Sequence, residues 1–232
     1  MKLKFLAVVT VICLLFTNST FVMARTIDPK KVKSIEADVQ GCNITFDKSN
    51  SKSLKLNYYG TASSSKYDLK TSIKDGVLKI DLDYIGSGMA PTIEEGGIVV
   101  KIPNVEVLAL DITGTDGAGI TLNNVNIDTN LKTEGSAVII KNDKLKNKIT
   151  IDAKDDSYEI ESVPPTKDFI LKADGCAIDF KLIKAPVNLK FKLTNRDGYV
   201  EIPKDWSYDF AIGSGKPNMV IENINGSFEL YD

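Results

Sequence analysis

Beyond residue 25 the apolar positions recur with period 2. Leu54, Leu56 and Tyr58 show it, as do Leu108, Leu110 and Ile112, then Ile149, Ile151 and Ala153, then Leu189, Phe191 and Leu193. Successive side chains of a strand point to opposite faces, so this pattern predicts strands with one buried face. No window keeps apolar residues at i, i+3, i+4 and i+7 over three turns, and Asn, Asp, Thr and Gly are too frequent for helix interiors. The expected fold class is all-β.

A second periodicity lies over the first: an acidic or glycine turn followed by a short alternating strand. Asp116-Gly117 leads to Ile120 and Leu122, Glu134-Gly135 to Val138 and Ile140, and Asp156-Ser157 to Tyr158 and Ile160. Asp174-Gly175 leads to Ile178 and Phe180, Asp197-Gly198 to Val200 and Ile202, and a degenerate copy ends at Ile221. The closing positions are 18, 20, 20, 22 and 19 residues apart, so each unit is about 20 residues. Asp-Gly also suits a hairpin, which leaves a meander or sandwich as the alternative. Equivalent residues at equivalent positions favour rungs that bury their apolar faces by stacking, a short β-solenoid over residues 105–232. In that reading Leu122, Ile140, Ile160, Phe180, Ile202 and Ile221 form one inward ladder, with Asn124, Asn142 and Asn223 at one corner.

Residues 25–104 supply an N-terminal strand layer that caps the stack. Strands are expected near Ile35–Val39, Ile44–Phe46 and Leu54–Tyr58, with a hairpin from Tyr67 to Tyr84 turning at Lys74-Asp75-Gly76. The chain ends on Phe228-Glu229-Leu230-Tyr231-Asp232, in strand pattern, which predicts an open edge through which a homo-oligomer could form or which the two acids blunt.

The start of the chain is different. Lys2 and Lys4 precede a 12-residue apolar run, Phe5 to Phe16, and Val22-Met23-Ala24 offers a small-residue cleavage site, so residues 1–24 are expected to be a signal peptide. The run is shorter than the ~18 to 20 residues a spanning helix needs, so no stable membrane span is expected after cleavage. Extracellular or cell-surface localisation follows. Removing Cys13 leaves Cys42 and Cys176, which the repeat places several strand layers apart, beyond the ~7 Å reach of a disulfide. Two buried thiols are expected.

Two glycine-led phrases, Gly41-Cys42-Asn43-Ile44-Thr45-Phe46 and Gly175-Cys176-Ala177-Ile178-Asp179-Phe180, are versions of one pattern. With the units from 116 to 202 and the segment Ile98-Val99-Val100-Lys101-Ile102-Pro103, the chain from about Val32 to Asp232 resembles the exported bacterial putative-adhesin family. That family is an uncharacterised domain related to auto-transporter adhesin head domains. The resemblance implies a right-handed β-solenoid at the bacterial cell envelope and carries over no binding residues.

Composition narrows the chemistry. Lys and Arg number 29 against 31 Asp and Glu, a net charge of −2 that offers no cationic excess for nucleic acid. With no histidine, Ser-His-Asp and Cys-His nucleophile pairs are excluded. Acids crowd the turns (Asp111, Asp116, Asp152, Asp155, Asp156, Asp174, Asp197), which suits turn chemistry better than calcium because the Gly-Gly-x-Gly-x-Asp pattern of β-rolls is missing. Arg25 and Arg196 are the only arginines, a thin cast for clamping acidic sugars. No catalytic residue, metal or cofactor is therefore assigned.

The longest irregular stretch, Tyr84 to Gly97, makes Tyr84, Met89, Glu94 and Glu95 the candidate ligand-binding residues. Trp206 reads as core or rim packing. The expected function is a secreted or surface-attached non-catalytic binding module, contacting a cell-surface glycan or protein. A polysaccharide-acting β-helical enzyme and an envelope sensor-associated ectodomain are the alternatives.

Overall fold

The computed structural model describes residues 25–60, 66–86, 96–103, 107–143 and 145–231. The expected signal peptide, with Cys13, lies outside them, as do the Ser-rich tip at 63–65 and Met89, Glu94 and Glu95.

The described chain is all-β apart from one 3-10 turn, Pro29–Lys31. Its strands are β1 (Arg25–Ile27), β2 (Ser34–Gln40), β3 (Asn43–Ser49), β4 (Leu54–Gly60), β5 (Tyr67–Lys74), β6 (Val77–Tyr84) and β7 (Gly96–Pro103). They continue as β8 (Ala109–Thr115), β9 (Gly119–Asn123), β10 (Asp128–Glu134), β11 (Ala137–Asn142), β12 (Ile149–Lys154), β13 (Ser157–Ser162) and β14 (Phe169–Asp174). The last are β15 (Ala177–Leu182), β16 (Leu189–Arg196), β17 (Tyr199–Glu201), β18 (Asp209–Ile212), β19 (Asn218–Ile224) and β20 (Ser227–Tyr231).

Two ten-stranded mixed sheets result. The first runs β1-β4-β7-β3-β9-β11-β13-β15-β20-β17 and the second β18-β16-β19-β14-β12-β10-β8-β2-β6-β5. From β7 to β17 the first sheet is parallel throughout, and so is the second from β16 to β6. Antiparallel pairings occur only at the ends: β1 with β4 and β4 with β7 in the first sheet, β5 with β6 and β18 with β16 in the second. The strands on either side of each acidic-glycine turn belong to different sheets, so these turns are corners and the meander does not hold. The expected Tyr67–Tyr84 hairpin is a true one, β5–β6, turning through Asp75 and Gly76 with φ of 54° and 85°.

One column explains the recurring turn chemistry. Gly41, Asp116, Gly135, Asp155, Gly175, Asn225 and Asp197 follow one another along the stack, all with φ between 53° and 68°. Only Gly, Asn and Asp visit this left-handed region at little cost. Their N–H groups continue the ladder, as in Gly135 N–H to Lys154 O (3.0 Å), Asp155 to Asp174 O (2.9 Å) and Gly175 to Ile224 O (2.9 Å). In the third unit the corner residue is Asp155, one place before the Asp156-Ser157 that the sequence pattern suggests.

The core between the sheets is built of columns. In the first sheet Val100, Phe46, Leu122, Ile140, Ile160, Phe180 and Leu230 are in register and buried. In the second, Ile80, Ala37, Ile112, Leu131, Ile151, Leu171, Ile221 and Leu193 do the same. The predicted six-residue ladder is therefore corrected at its end. Ile221 belongs to the opposite sheet, Leu230 takes the place beside Phe180, and Ile202 is only partly buried. Asn223 likewise leaves the predicted corner: it is fully buried in β19, donating to Asn195 Oδ1 (2.8 Å) and Gly226 O (3.2 Å). Leu108 precedes β8 and is 70% exposed, because alternation begins at Leu110.

Both ends of the stack are reordered relative to the chain. The pair β2/β3 lies between β6/β7 and β8/β9, and the last pair, β19/β20, inserts between β14/β15 and β16/β17. The C-terminal strand is thus paired on both sides, which overturns its expected role as an open edge. The exposed edges are instead β17 and β18 at one end and β1 and β5 at the other. Trp206 closes the first of these ends, stacked on Phe210 (4.8 Å) and edge-on to Phe191 (5.2 Å), in keeping with a packing role.

One residue after the left-handed corner, or two at Ala118 where Gly117 intervenes, comes a buried position, occupied along the stack by Cys42, Ala118, Ser136, Asp156 and Cys176. The cysteines are free and four strands apart, about 19 Å at ~4.8 Å per strand. Burial pushes the Cys42 thiol up to about 12 and the Cys176 thiol up to about 11. Because the thiolate is the reacting species, neither should react with a disulfide reagent near pH 8 in the native protein, and both should react in denaturant; thiol titration checks this.

Asp156 is 4% exposed and accepts from the Thr133 hydroxyl (2.6 Å) and from the N–H groups of Ser136 (2.6 Å) and Lys154 (3.1 Å). Burial raises its pKa, against these hydrogen bonds, which lower it. The folded chain then holds the proton more tightly than the unfolded one. The stability linked to it is complete below the unfolded carboxyl range and is lost as pH rises through the folded value. Asp156→Asn should flatten this part of the stability profile in thermal melts between about pH 3 and 7.

Candidate binding face

The outward side chains of the first sheet are also stacked by register. Glu159 on β13, Asp179 on β15, Glu229 on β20 and Glu201 on β17 are direct neighbours, all exposed, forming four acids in one row. Strand spacing sets them ~4.8 Å apart along the row. Like charges directly opposite one another destabilise a sheet.

The second sheet shows that alternation is available to this architecture. Its outer columns read Lys132, Asp152, Lys172, Glu222 and Glu134, Lys154, Asp174, with Lys154 paired to Glu134 at 2.6 Å. Between β10 and β19 these columns alternate in sign, while nearer the other end Asp38 stands beside Asp81 and Glu36 beside Asp111. On the first sheet Lys141 pairs with Glu159 (3.2 Å) and Lys181 turns to Glu161 (3.1 Å). Among the described residues no cation pairs with Asp179, Glu229 or Glu201.

Two tyrosines flank the row. Tyr231 is hydrogen-bonded to Asp179, which with some burial pushes its phenol up to about 12, and the Tyr199 hydroxyl donates to Glu201 at 2.7 Å. Both rings are substantially exposed. Beside the end of the row, Glu201, Ile202, Pro203, Lys204, Glu229, Leu230 and Tyr231 line a hollow of about 320 Å³, at the small end of ligand-sized pockets. Carboxylates accept hydrogen bonds and tyrosine presents an apolar face with a polar tip, a combination suited to hydroxyl-rich or cationic ligands. Among the described residues no group of three or more Asp, Glu or Cys converges to hold a metal ion, and no helix is long and apolar enough to cross a membrane.

Of the residues singled out from sequence, Tyr84 alone is described. It lies at the other end of the stack, its ring edge-on to Tyr67 (5.9 Å), which in turn meets Tyr58 (6.3 Å). The sequence pattern does not single out the acid row, although Glu159, Asp179 and Glu201 each directly precede a closing residue of the repeat.

No known protein-family profile and no curated protein matches the chain. Solved structures do. A putative cell adhesion protein from Clostridium sporogenes aligns at a TM-score of 0.47 and 12% identity, over 90% of this chain and 97% of that one. A putative adhesin from Bacteroides fragilis (TM-score 0.35, 12% identity) and a putative lipid binding protein from Parabacteroides distasonis (0.36, 15%) each align over 92% of this chain and 98% of theirs.

Proposed function

We propose that this protein is an exported, non-catalytic binding module of the bacterial cell envelope, and that its two-sheet stack is a short β-solenoid presenting the first sheet's outer face to a cell-surface glycan. The observation that carries this reading is the row Glu159, Asp179, Glu229, Glu201, in which Glu159 alone has a cation partner, Lys141, among the described residues, whereas the columns of the opposite face between β10 and β19 alternate their charges. A row of like charges costs stability, and such costs concentrate where a surface has a task. Sugar hydroxyls can donate to the carboxylates while Tyr199 and Tyr231 supply stacking area.

Binding of the purified protein to a glycan panel, to peptidoglycan and to whole cells tests this, with release of reducing sugar followed in the same assay. Asp179→Asn with Glu229→Gln should weaken binding about tenfold, roughly 1.4 kcal/mol, and raise stability by about 0.2–1 kcal/mol through relief of repulsion. Loss of binding together with gain of stability is the signature of a functional row. Neighbouring acids at ~4.8 Å also approach the carboxylate spacing of a retaining glycosidase, and product release would favour that enzyme. Such an enzyme needs one acid held protonated by its surroundings, whereas all four here stand on an exposed face. The cluster Tyr58, Tyr67, Tyr84 at the base of the 84–97 segment supports a second binding position, for which Tyr84→Ala and Glu94→Gln with Glu95→Gln are the variants.

A further inference from the structure

We propose that the protein associates head to tail with copies of itself, the end formed by β1, β4 and β5 of one copy seating on the end formed by β17, β18 and their crossover in the next. The two ends are the only places where the described sheets stop, and each presents two unpaired strand edges: β1 and β5 at one, β17 and β18 at the other. Their charges are opposite. The edge strands β1 and β5 carry Arg25, Lys70 and Lys74 against Asp68, while the edge strands β17 and β18 with their crossover, residues 199–212, carry Glu201, Asp205 and Asp209 against Lys204.

Strand direction agrees with the charges. β18 and β5 each run antiparallel to the body of the second sheet, so laying β5 of one copy beside β18 of another makes a parallel pair. In the first sheet β1 and β17 both run with the parallel body, because β1 is reversed twice through β4. Both sheets can therefore continue from copy to copy without a break in direction. β1 and β17 are matched at three residues each.

Apolar surface is available at the contact. Tyr199 (56% exposed), Tyr208 (48%) and Ile212 (37%) stand at the acidic end and Ile73 (42%) at the cationic one. Like ends repel, so the charges select head-to-tail over head-to-head docking and guard against indiscriminate edge pairing. A head-to-tail contact between unlike surfaces that does not close into a ring grows as a linear chain.

The test is sedimentation velocity of the purified exported protein at rising concentration, at low ionic strength and at about 0.5 M salt, where screening shortens to a few Å. The sedimentation coefficient is expected to climb continuously at low salt and to collapse to one monomeric species at high salt. Lys70→Glu with Lys74→Glu makes both ends acidic, and Asp205→Lys with Asp209→Lys makes both cationic. Each variant alone should remain monomeric, and a mixture of the two should regain growth. None of these four residues belongs to the acid row, so glycan binding by either variant reports separately on the proposed function. A wild-type protein that stays monomeric at low salt, a discrete dimer without growth, or a mixture that fails to co-assemble while both variants melt like wild type would overturn the proposal.

Discussion

Phe180→Ala is expected to destabilise the protein by about 3–5 kcal/mol, read as a lower midpoint in urea denaturation. Phe180 is fully buried on β15, edge-on to Phe169 of the facing sheet at 5.3 Å, with Ile160 and Leu230 as its neighbours in register. Truncation removes the apolar contact area and opens a void bounded by strand backbones, which cannot close in because their spacing is fixed by the ladder hydrogen bonds. Phe180→Leu refills much of the space and should cost less than half as much. Equal losses for the two variants would show that the ring's edge contact with Phe169, and not the volume, is what this layer depends on.

The second large effect is expected at Gly226, where alanine should cost about 3 kcal/mol, the upper range for forcing extra volume into a packed site. A Cβ there would lie 2.2 Å from the Cys176 carbonyl oxygen and 2.8 Å from the Cys176 nitrogen, both backbone atoms of the residue that leads into the neighbouring strand β15. The same place holds two ladder bonds, Ser227 N–H to Cys176 O (2.8 Å) and Tyr199 N–H to Gly226 O (2.9 Å), and one side-chain bond, Asn223 Nδ2 to Gly226 O (3.2 Å). The substitution therefore separates β20 from β15. Faster amide exchange in β20, with β9 to β13 unchanged, would localise the damage. Gly117→Ala is the control: nothing lies within 4 Å of its Cβ, so only the left-handed backbone (φ +83°) is penalised, by about 1–2 kcal/mol.

Much of this architecture is legible from residue order because its physics is local. Alternation in Leu189, Phe191 and Leu193 states which face is buried, and the corner residues Asp116, Gly135 and Gly175 state where the chain turns left-handed. The segment Tyr84 to Gly97 stands out in the sequence because it lacks alternation, whereas the acid row is spread over ordinary alternating strands. Glu159 and Asp179 look like solvated strand positions until their neighbours are known.

What residue order determined, then, is the strand content, the inward and outward faces, the corner column and the separation of Cys42 from Cys176. Tertiary structure decided which strand lies beside which. Period 2 specifies a face and leaves the neighbour open, because any aliphatic column can stack on any other. The units at 158–160 and 178–180 pair in chain order, but β20 slips between β15 and β17, so Glu229 joins the row between Asp179 and Glu201 and the C-terminal strand loses its open edge. That placement depends on closing both sheets with short strands, β17 and β18, under Trp206, a matter of packing at the end of the stack that no local pattern encodes.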